Sequence, residues 1–273
     1  MNRLKILFKL LVLLTCISLG TNCRKTGFPP VEVTKPIAPP TILPGPPKSL
    51  LLSSFYKKYL DADSIPIVSS EYTDDEALFN AKKTILIMLG SLDESVKKQM
   101  RSNKIRIAII SQYELTNSLP ENVGYPDSFN IRARGFAAAP WSPMMCTAEE
   151  NLVCGHNMLI RDRWYGQDVT THEFAHTIHL TGLLHSPFDS ILNKTYNNAM
   201  SKKLWDSTYS ATSYLEYWAD GVQLWFNCTA MYVPLNNTKI IVSTRGDLNK
   251  YDPDLYDLIS KYFTNETIKT GCY

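Results

Sequence analysis

Hydrophobic residues recur along this chain with two different periods, which separate predicted helices from predicted strands. A capping-box pattern opens each of the segments 73–89 and 91–100, and apolar residues follow at helical spacing, so both segments are predicted to be helices. Residues 104–111 (KIRIAIIS) alternate between polar and apolar positions and are rich in isoleucine. This pattern predicts a strand.

The rest of the chain is predicted to contain mainly helices. Glycine and proline interrupt residues 112–145, which are predicted to be loop, and residues 157–160 are predicted to form a short strand. Helices and strands do not alternate regularly, and no repeat of 20–50 residues is present. We therefore expect an α+β fold, mostly helical with a small sheet. The further predicted helices cover residues 168–181, 187–204, 213–226 and 253–263.

The first twenty residues have the pattern of a secretory signal peptide. Arg3 and Lys5 form a positive region, and the apolar run over 10–19 is too short to span a bilayer. Small residues place the predicted cleavage near Gly20. We therefore expect a secreted protein without stable membrane insertion after the signal, residues 1–20, is removed.

Proline marks the segment that follows the signal peptide. Eight of the 16 prolines fall within residues 28–48. Such a segment neither pairs in a sheet nor continues a helix, so residues 21–49 are predicted to be a flexible linker. The remaining residues, 50–273, are predicted to form a single folded domain.

Composition and charge exclude several classes of protein. The 273-residue chain is 44% hydrophobic and 20% charged, with a formal net charge of +2. No stripe rich in lysine and arginine stands out, so binding to nucleic acid through bulk charge is not expected. The composition also differs from that of a collagen or a coiled coil.

The sequence His172-Glu173-Phe174-Ala175-His176 is the strongest chemical signal in the chain. On a helix, residues four apart lie on the same face, so His172 and His176 can bind one metal ion. Glu173 lies beside them and is predicted to be the general base acting on water. The alternative interpretation is a pair of core histidines on a packed helix.

A third ligand has to come from another part of the chain. A histidine six residues after His176 would fit one large class of zinc peptidases, but that position is Gly182. Glu216 is the better candidate, because Asp220 follows it at i+4 and can hold the second nitrogen of a ligand histidine. A solvated acidic helix face is the alternative for these two carboxylates. His179 is predicted to support the ligands or to line the cleft wall.

These motifs resemble the gluzincin clan of zinc metallopeptidases, and most of all its anthrax-lethal-factor-like branch. The segments RARGF, EENLVC, HEFAH and EYWADGVQ also resemble a group of secreted metallopeptidase-like proteins, over residues 130–226. The resemblance implies a zincin-like fold, one Zn²⁺ ion and a peptide or protein substrate. It also implies that Tyr209, seven residues before Glu216, stabilises the oxyanion, with packing as its alternative role. Asp220 stands where a glutamate is frequent in the clan.

Cysteines and sequons agree with a secreted protein. A bridge between Cys146 and Cys154 is suggested by their spacing and by the resemblance, and Cys228 with Cys272 is a second predicted pair. Cys23 would be left over, and the sequence alone does not prove the pairing. N-linked glycans are predicted at four N-x-S/T sequons, with chance occurrence as the alternative: Asn193, Asn227, Asn236 and Asn265.

Two functional hypotheses follow from the sequence. The first is a secreted zinc metallopeptidase that hydrolyses peptide bonds with Glu173 as general base. The second is a non-catalytic, zinc-stabilised binding or toxin-like protein. Hydrolysis of a non-peptide amide is a third possibility. The sequence does not indicate an oligomeric state.

Arg132 and Arg134 lie in the RARGF segment, before the metal-binding motif. For these two arginines, surface exposure or an internal ion pair is favoured over contact with a substrate carboxylate.

Overall fold

The computed structural model describes residues 36–155, 168–184, 186–236 and 238–269, without the side chains of residues 131 and 132. The chain divides into two units at Ile37 and Ala38, and the account below concerns the second unit. The predicted signal peptide, the predicted strand at 157–160, Cys23 and Cys272 lie outside the described residues.

A four-stranded sheet, in the order β1-β2-β3-β4, supports the helices. β1 (Lys58–Ala62) and β2 (Ile65–Ser69) form an antiparallel hairpin. β3 (Arg106–Ile110) pairs in parallel with β2, and β4 (Met144–Ala148) pairs in parallel with β3. The strand predicted at 104–111 is therefore confirmed as β3.

The structure corrects the prediction that residues 112–145 are loop, because the short helix Ser128–Arg132 and the first two residues of β4 belong to them. All five residues of β4 are buried. A strand that is covered on both faces shows no alternation of polar and apolar residues, so its pattern gave no strand signal.

Helices are the commonest regular elements in the described part of the chain. The four long helices predicted at 73–89, 168–181, 187–204 and 213–226 all form, with ends that differ by a few residues. Residues His179–Leu183 form a π-helical turn, and Met231–Leu235 (β5) and Thr238–Val242 (β6) form a separate hairpin. The helices are α1 (Asp75–Leu89), α2 (Glu94–Ser102), α3 (Ser128–Arg132), α4 (Glu150–Val153), α5 (Val169–Ile178), α6 (Phe188–Ser201), α7 (Tyr214–Trp225), α8 (Arg245–Tyr251) and α9 (Pro253–Ile259).

The main core lies between the sheet and the helices. α7 runs through this core, and all of its residues from Glu216 to Trp225 are buried. The opposite face of the sheet is covered by a smaller cluster that includes Tyr56 and Cys146. This mixture of a small sheet and many helices confirms the predicted α+β class. Among the described residues, no helix has the length and apolar character needed to cross a membrane.

Part of the predicted linker is bound to the folded unit. The Thr41 hydroxyl donates to the Asp75 carboxylate over 2.8 Å, and the Ile42 amide donates to the same carboxylate over 2.9 Å. Asp75 is the first residue of α1. The predicted boundary at residue 49 therefore lies inside the hydrogen-bonded part of the chain.

The predicted disulfides involving Cys146 and Cys228 are wrong, since both cysteines are free and buried. Cys146 lies on β4 and points into the smaller cluster, where burial raises the pKa of its thiol to about 12. The Cys228 thiol donates to the Gln223 carbonyl oxygen over 3.3 Å. Cys154 is disulfide-bonded, and its partner is therefore neither of these residues.

Candidate metal centre

Two helices from distant parts of the chain bring the predicted ligands together. α5 begins at an N-cap, where the Asp168 carboxylate accepts from the Thr171 amide over 2.9 Å. α7 begins in the same way, with Ser213 capping the Glu216 amide over 3.2 Å. The Trp218 indole N–H donates to the Ala175 carbonyl oxygen over 2.9 Å and joins the two helices at the level of the site.

Three potential donor atoms form a nearly equilateral triangle. His172 Nε2 lies 3.0 Å from Glu216 Oε2, His176 Nε2 lies 3.2 Å from the same oxygen, and the two ring nitrogens are 3.1 Å apart. A tetrahedral ion with bonds of about 2.0–2.1 Å has edges of about 3.3 Å between its ligand atoms. The triangle therefore has the size of one face of such a tetrahedron, and the three residues form a group able to hold a metal ion.

The electrostatics of the group favour an ionised carboxylate. Burial opposes ionisation of Glu216, but the neighbouring His176 and His172 rings hold its pKa well below the usual value. Burial also opposes a charge on His172, and its hydrogen bonds to the Asp220 and Glu216 carboxylates nevertheless raise its pKa well above the usual value. A positive charge is thus favoured at the place where a cation would bind.

Two residues of α7 hold the outer nitrogen of His172. Its Nδ1 atom lies 3.2 Å from Asp220 Oδ1, where the sequence places a supporting acid, and 3.1 Å from Gln223 Oε1. Asp220 accepts from the Ser210 hydroxyl over 2.6 Å, while the Gln223 amide donates to the Asp168 carbonyl oxygen over 2.8 Å. The role of Gln223 is not among the sequence predictions, although its position three residues after Asp220 places it on the same helix face.

Glu173 lies on α5 between the two histidines in sequence and is partly buried. Burial raises the pKa of its carboxyl group, whereas the nearby rings of His172 and His176 oppose the shift. The main-chain amide of Ala137 also opposes the rise in pKa. A carboxylate whose pKa is raised is a better proton acceptor, as a general base requires.

Tyr209 lies in the short 3₁₀ turn Tyr209–Thr212, directly before α7. Its ring centroid is 6.3 Å from that of His172. Burial of the phenol and the nearby Glu216 and Glu173 carboxylates raise the pKa of Tyr209 above its usual value. The residue is still 46% exposed, and its raised pKa keeps the hydroxyl a neutral O–H donor near neutral pH.

His179 does not occupy the ligand-supporting position predicted for it. The side chain is fully buried, and its Nε2 atom lies 3.0 Å from Asp189 Oδ1. The rings of Phe188 and Tyr214 pack against it. His179 therefore connects the π-helical turn with α6 and with the start of α7, because its position one turn beyond His176 carries it into the core.

The four sequons differ in their surroundings. Asn193, Asn236 and Asn265 are exposed. The Asn227 amide group is partly buried, since its Nδ2 atom donates to Thr267 Oγ1 over 2.9 Å and its Oδ1 atom accepts from the Arg245 amide over 2.7 Å. The Asn227 amide group thus connects the end of α7 with the start of α8 and with Thr267.

The similarity of this chain to known proteins is distant. No protein-family model matches the chain, and no curated protein matches it. A solved structure of the Pro-Pro endopeptidase from Paenibacillus alvei is similar to it, with 16% sequence identity and a TM-score of 0.47. The match covers 72% of this chain and 97% of that chain. A match at this level assigns no activity to this chain.

Proposed function

We propose that the protein is a secreted zinc metallopeptidase of the gluzincin type, with His172, His176 and Glu216 as the metal ligands. The observation that carries the proposal is the triangle of donor atoms with edges of 3.0, 3.1 and 3.2 Å. Two imidazoles and one carboxylate are a common ligand set of catalytic zinc, which keeps its fourth position open for water or substrate.

The residues around the triangle fit the chemistry of peptide hydrolysis. When bound, zinc would supply a Lewis acid that polarises a carbonyl group and makes water more acidic. Glu173 would take the proton from the attacking water and later deliver it to the leaving amine. Its raised pKa, caused first by burial, suits both steps.

Tyr209 and the outer hydrogen bonds complete this assignment. The Tyr209 hydroxyl would donate a hydrogen bond to the oxyanion that develops from the substrate carbonyl. Asp220 and Gln223 would hold the ring of His172 in one orientation through its Nδ1 atom, leaving Nε2 for the metal. Each group needed for the reaction is thus supplied by α5, by α7 or by the turn before α7.

A non-catalytic, zinc-stabilised protein is the alternative, and it would need only the three ligands. The positions of Glu173 and Tyr209 favour the enzyme, because both carboxylate and phenol lie close to Glu216. Secretion is supported by the pattern of residues 1–20 and by the three exposed sequons.

Cleavage of a peptide library by the purified protein tests the proposal. Products are identified by mass spectrometry for the wild-type protein, for protein treated with a chelator, and for chelated protein with zinc restored. We expect cleavage that chelation abolishes and zinc restores, and a loss of about 100- to 10,000-fold in Glu173→Gln. A wild-type protein that binds zinc without cleaving any peptide would instead favour the non-catalytic alternative.

A further inference from the structure

Arg134 and Glu150 form a fully buried ion pair close to the candidate site. Arg134 Nε lies 2.7 Å from Glu150 Oε1, Arg134 Nη2 lies 3.0 Å from Oε2, and the two side chains are 2% and 0% exposed. The guanidinium also donates to the carbonyl oxygens of Glu114 (2.9 Å) and Ser111 (3.2 Å). The interpretation of Arg134 as an internal ion pair, favoured by the sequence, agrees with this geometry.

The contribution of this ion pair to the stability of the fold does not explain why the pair is present. Removing two charges from water costs about as much free energy as their attraction returns, so apolar residues of equal volume often give the same stability. What the pair provides is a fixed geometry, since a bidentate arginine–carboxylate contact allows one relative orientation. The segment whose orientation is fixed begins immediately after Arg134.

That segment, residues 135–138, runs along the face of α5 that carries Glu173. A Cβ atom on Gly135 would lie 2.7 Å from Val169 Cγ1 and 2.8 Å from Glu173 Cγ, so the main chain is in close contact with the side chain of Glu173. The same Cβ position on Gly135 would lie 3.1 Å from Glu173 Oε1. The Ala138 amide donates to Thr177 Oγ1 over 3.0 Å.

The other side of the segment is attached to the sheet. Phe136 and Cys146 of β4 exchange two main-chain hydrogen bonds of 3.0 and 2.9 Å in an antiparallel bridge. The segment is therefore held between β4 and α5, and the buried ion pair fixes its start.

We propose that Arg134 and Glu150 are positioning residues for Glu173, acting through the main chain of residues 135–138. The proposal rests on the proposed function, since it assigns Glu173 the role of general base. Neither Arg134 nor Glu150 touches the substrate. Their contribution is to keep the Gly135 main chain against the Glu173 side chain, which confines the carboxylate to one position.

Glu150→Gln tests the proposal with a change of one charge and almost no change of volume. We expect kcat to fall by about 10- to 100-fold, as displacement of a catalytic group by about 1 Å does, with KM and metal content within about twofold of the wild-type values. Gly135→Ala, which inserts a methyl group against Glu173, should lower kcat in the same way. Amide hydrogen exchange of a peptide covering residues 134–140 should be faster in Glu150→Gln than in the wild type.

Asp75→Asn is the matched control, because it removes the acid of another ion pair, which is partly buried. Lys58 Nζ lies 2.9 Å from Asp75 Oδ1, with side chains 1% and 13% exposed, and this pair joins β1 to α1. We expect Asp75→Asn to lower thermal stability without changing kcat or the exchange of residues 134–140.

Several outcomes would overturn the proposal. These are an unchanged kcat in Glu150→Gln, an equal loss of kcat in Asp75→Asn, or a loss of metal from Glu150→Gln. If the wild-type protein cleaves no peptide, the proposed function fails, and the exchange comparison still decides whether the pair holds the segment. An unchanged rate of amide hydrogen exchange over residues 134–140 in Glu150→Gln would then contradict the proposal that the ion pair holds this segment.

Discussion

His172 Nε2 lies 3.0 Å from Glu216 Oε2, although the two residues are 44 positions apart and belong to different helices. The contact depends on the packing of α5 against α7, which the hydrogen bond between the Trp218 indole and the Ala175 carbonyl supports. Both helices begin at side-chain N-caps. The geometry of the candidate centre is therefore a property of two rigid elements and not of a loop.

Replacement of Glu216 should remove the metal. Glu216→Ala deletes one of three ligand atoms and the charge that offsets the cation, so we expect zinc content to fall from about one ion per chain to near zero. Inductively coupled plasma mass spectrometry of the purified protein measures this. Glu94→Ala, which changes an exposed glutamate on α2, is the control and should keep its zinc. Full zinc content in Glu216→Ala would show that another group is the third ligand.

Replacement of Tyr209 should affect turnover more than binding. Tyr209→Phe keeps the ring beside His172 and removes the hydroxyl, so we expect kcat to fall by about 100-fold with little change in KM or zinc content. Steady-state kinetics on a cleaved peptide separates the two constants. An unchanged kcat would assign Tyr209 to packing, the alternative role that the sequence left open.

His179 should make the free energy of unfolding depend on pH in the acid range. Burial lowers its pKa to about 4, despite the contact with Asp189, whereas an exposed histidine titrates near about 6.5. Between these values the unfolded chain binds more protons, so stability decreases as the pH falls from about 6.5 to about 4. Over this pH range, we expect the free energy of unfolding to decrease by about 2 kcal/mol less in His179→Gln than in the wild type. Urea unfolding at several pH values measures this, and parallel pH dependences would contradict it.

The buried thiols should be unreactive in the native protein. Cys146 and Cys228 are buried, and burial raises the pKa of Cys146 to about 12, so very little thiolate is available near neutral pH. We expect iodoacetamide to modify neither residue in the native protein and both residues after denaturation without reductant. Peptide mapping identifies the modified sites. Recovery of a Cys146–Cys154 linked peptide would contradict the structure.

The local parts of the site could be predicted from the sequence, because their geometry is set within one helix. His172, Glu173 and His176 share α5, and the i, i+4 spacing alone places both rings on one face. Asp220 was predicted for the same reason, since it follows Glu216 by one turn of α7. These residues needed no knowledge of the tertiary fold.

The parts that depend on tertiary packing could not be predicted in this way. β4 is buried on both faces and lacks an alternating pattern, so the sequence does not indicate a strand there. Spacing favours a Cys146–Cys154 bridge, but the Cys146 side chain faces the cluster on the far side of the sheet. The roles of Arg134 and Gly135 likewise depend on the path of residues 135–138 beside α5, which no local pattern indicates.

Anomalous diffraction at the zinc edge from crystals of the purified protein decides whether His172, His176 and Glu216 bind zinc together. We expect one strong peak, bonded to His172 Nε2, His176 Nε2 and a Glu216 carboxylate oxygen at about 2.0–2.2 Å. A crystal of zinc-supplemented protein with no peak among these three atoms, or with zinc held by other residues, would contradict it.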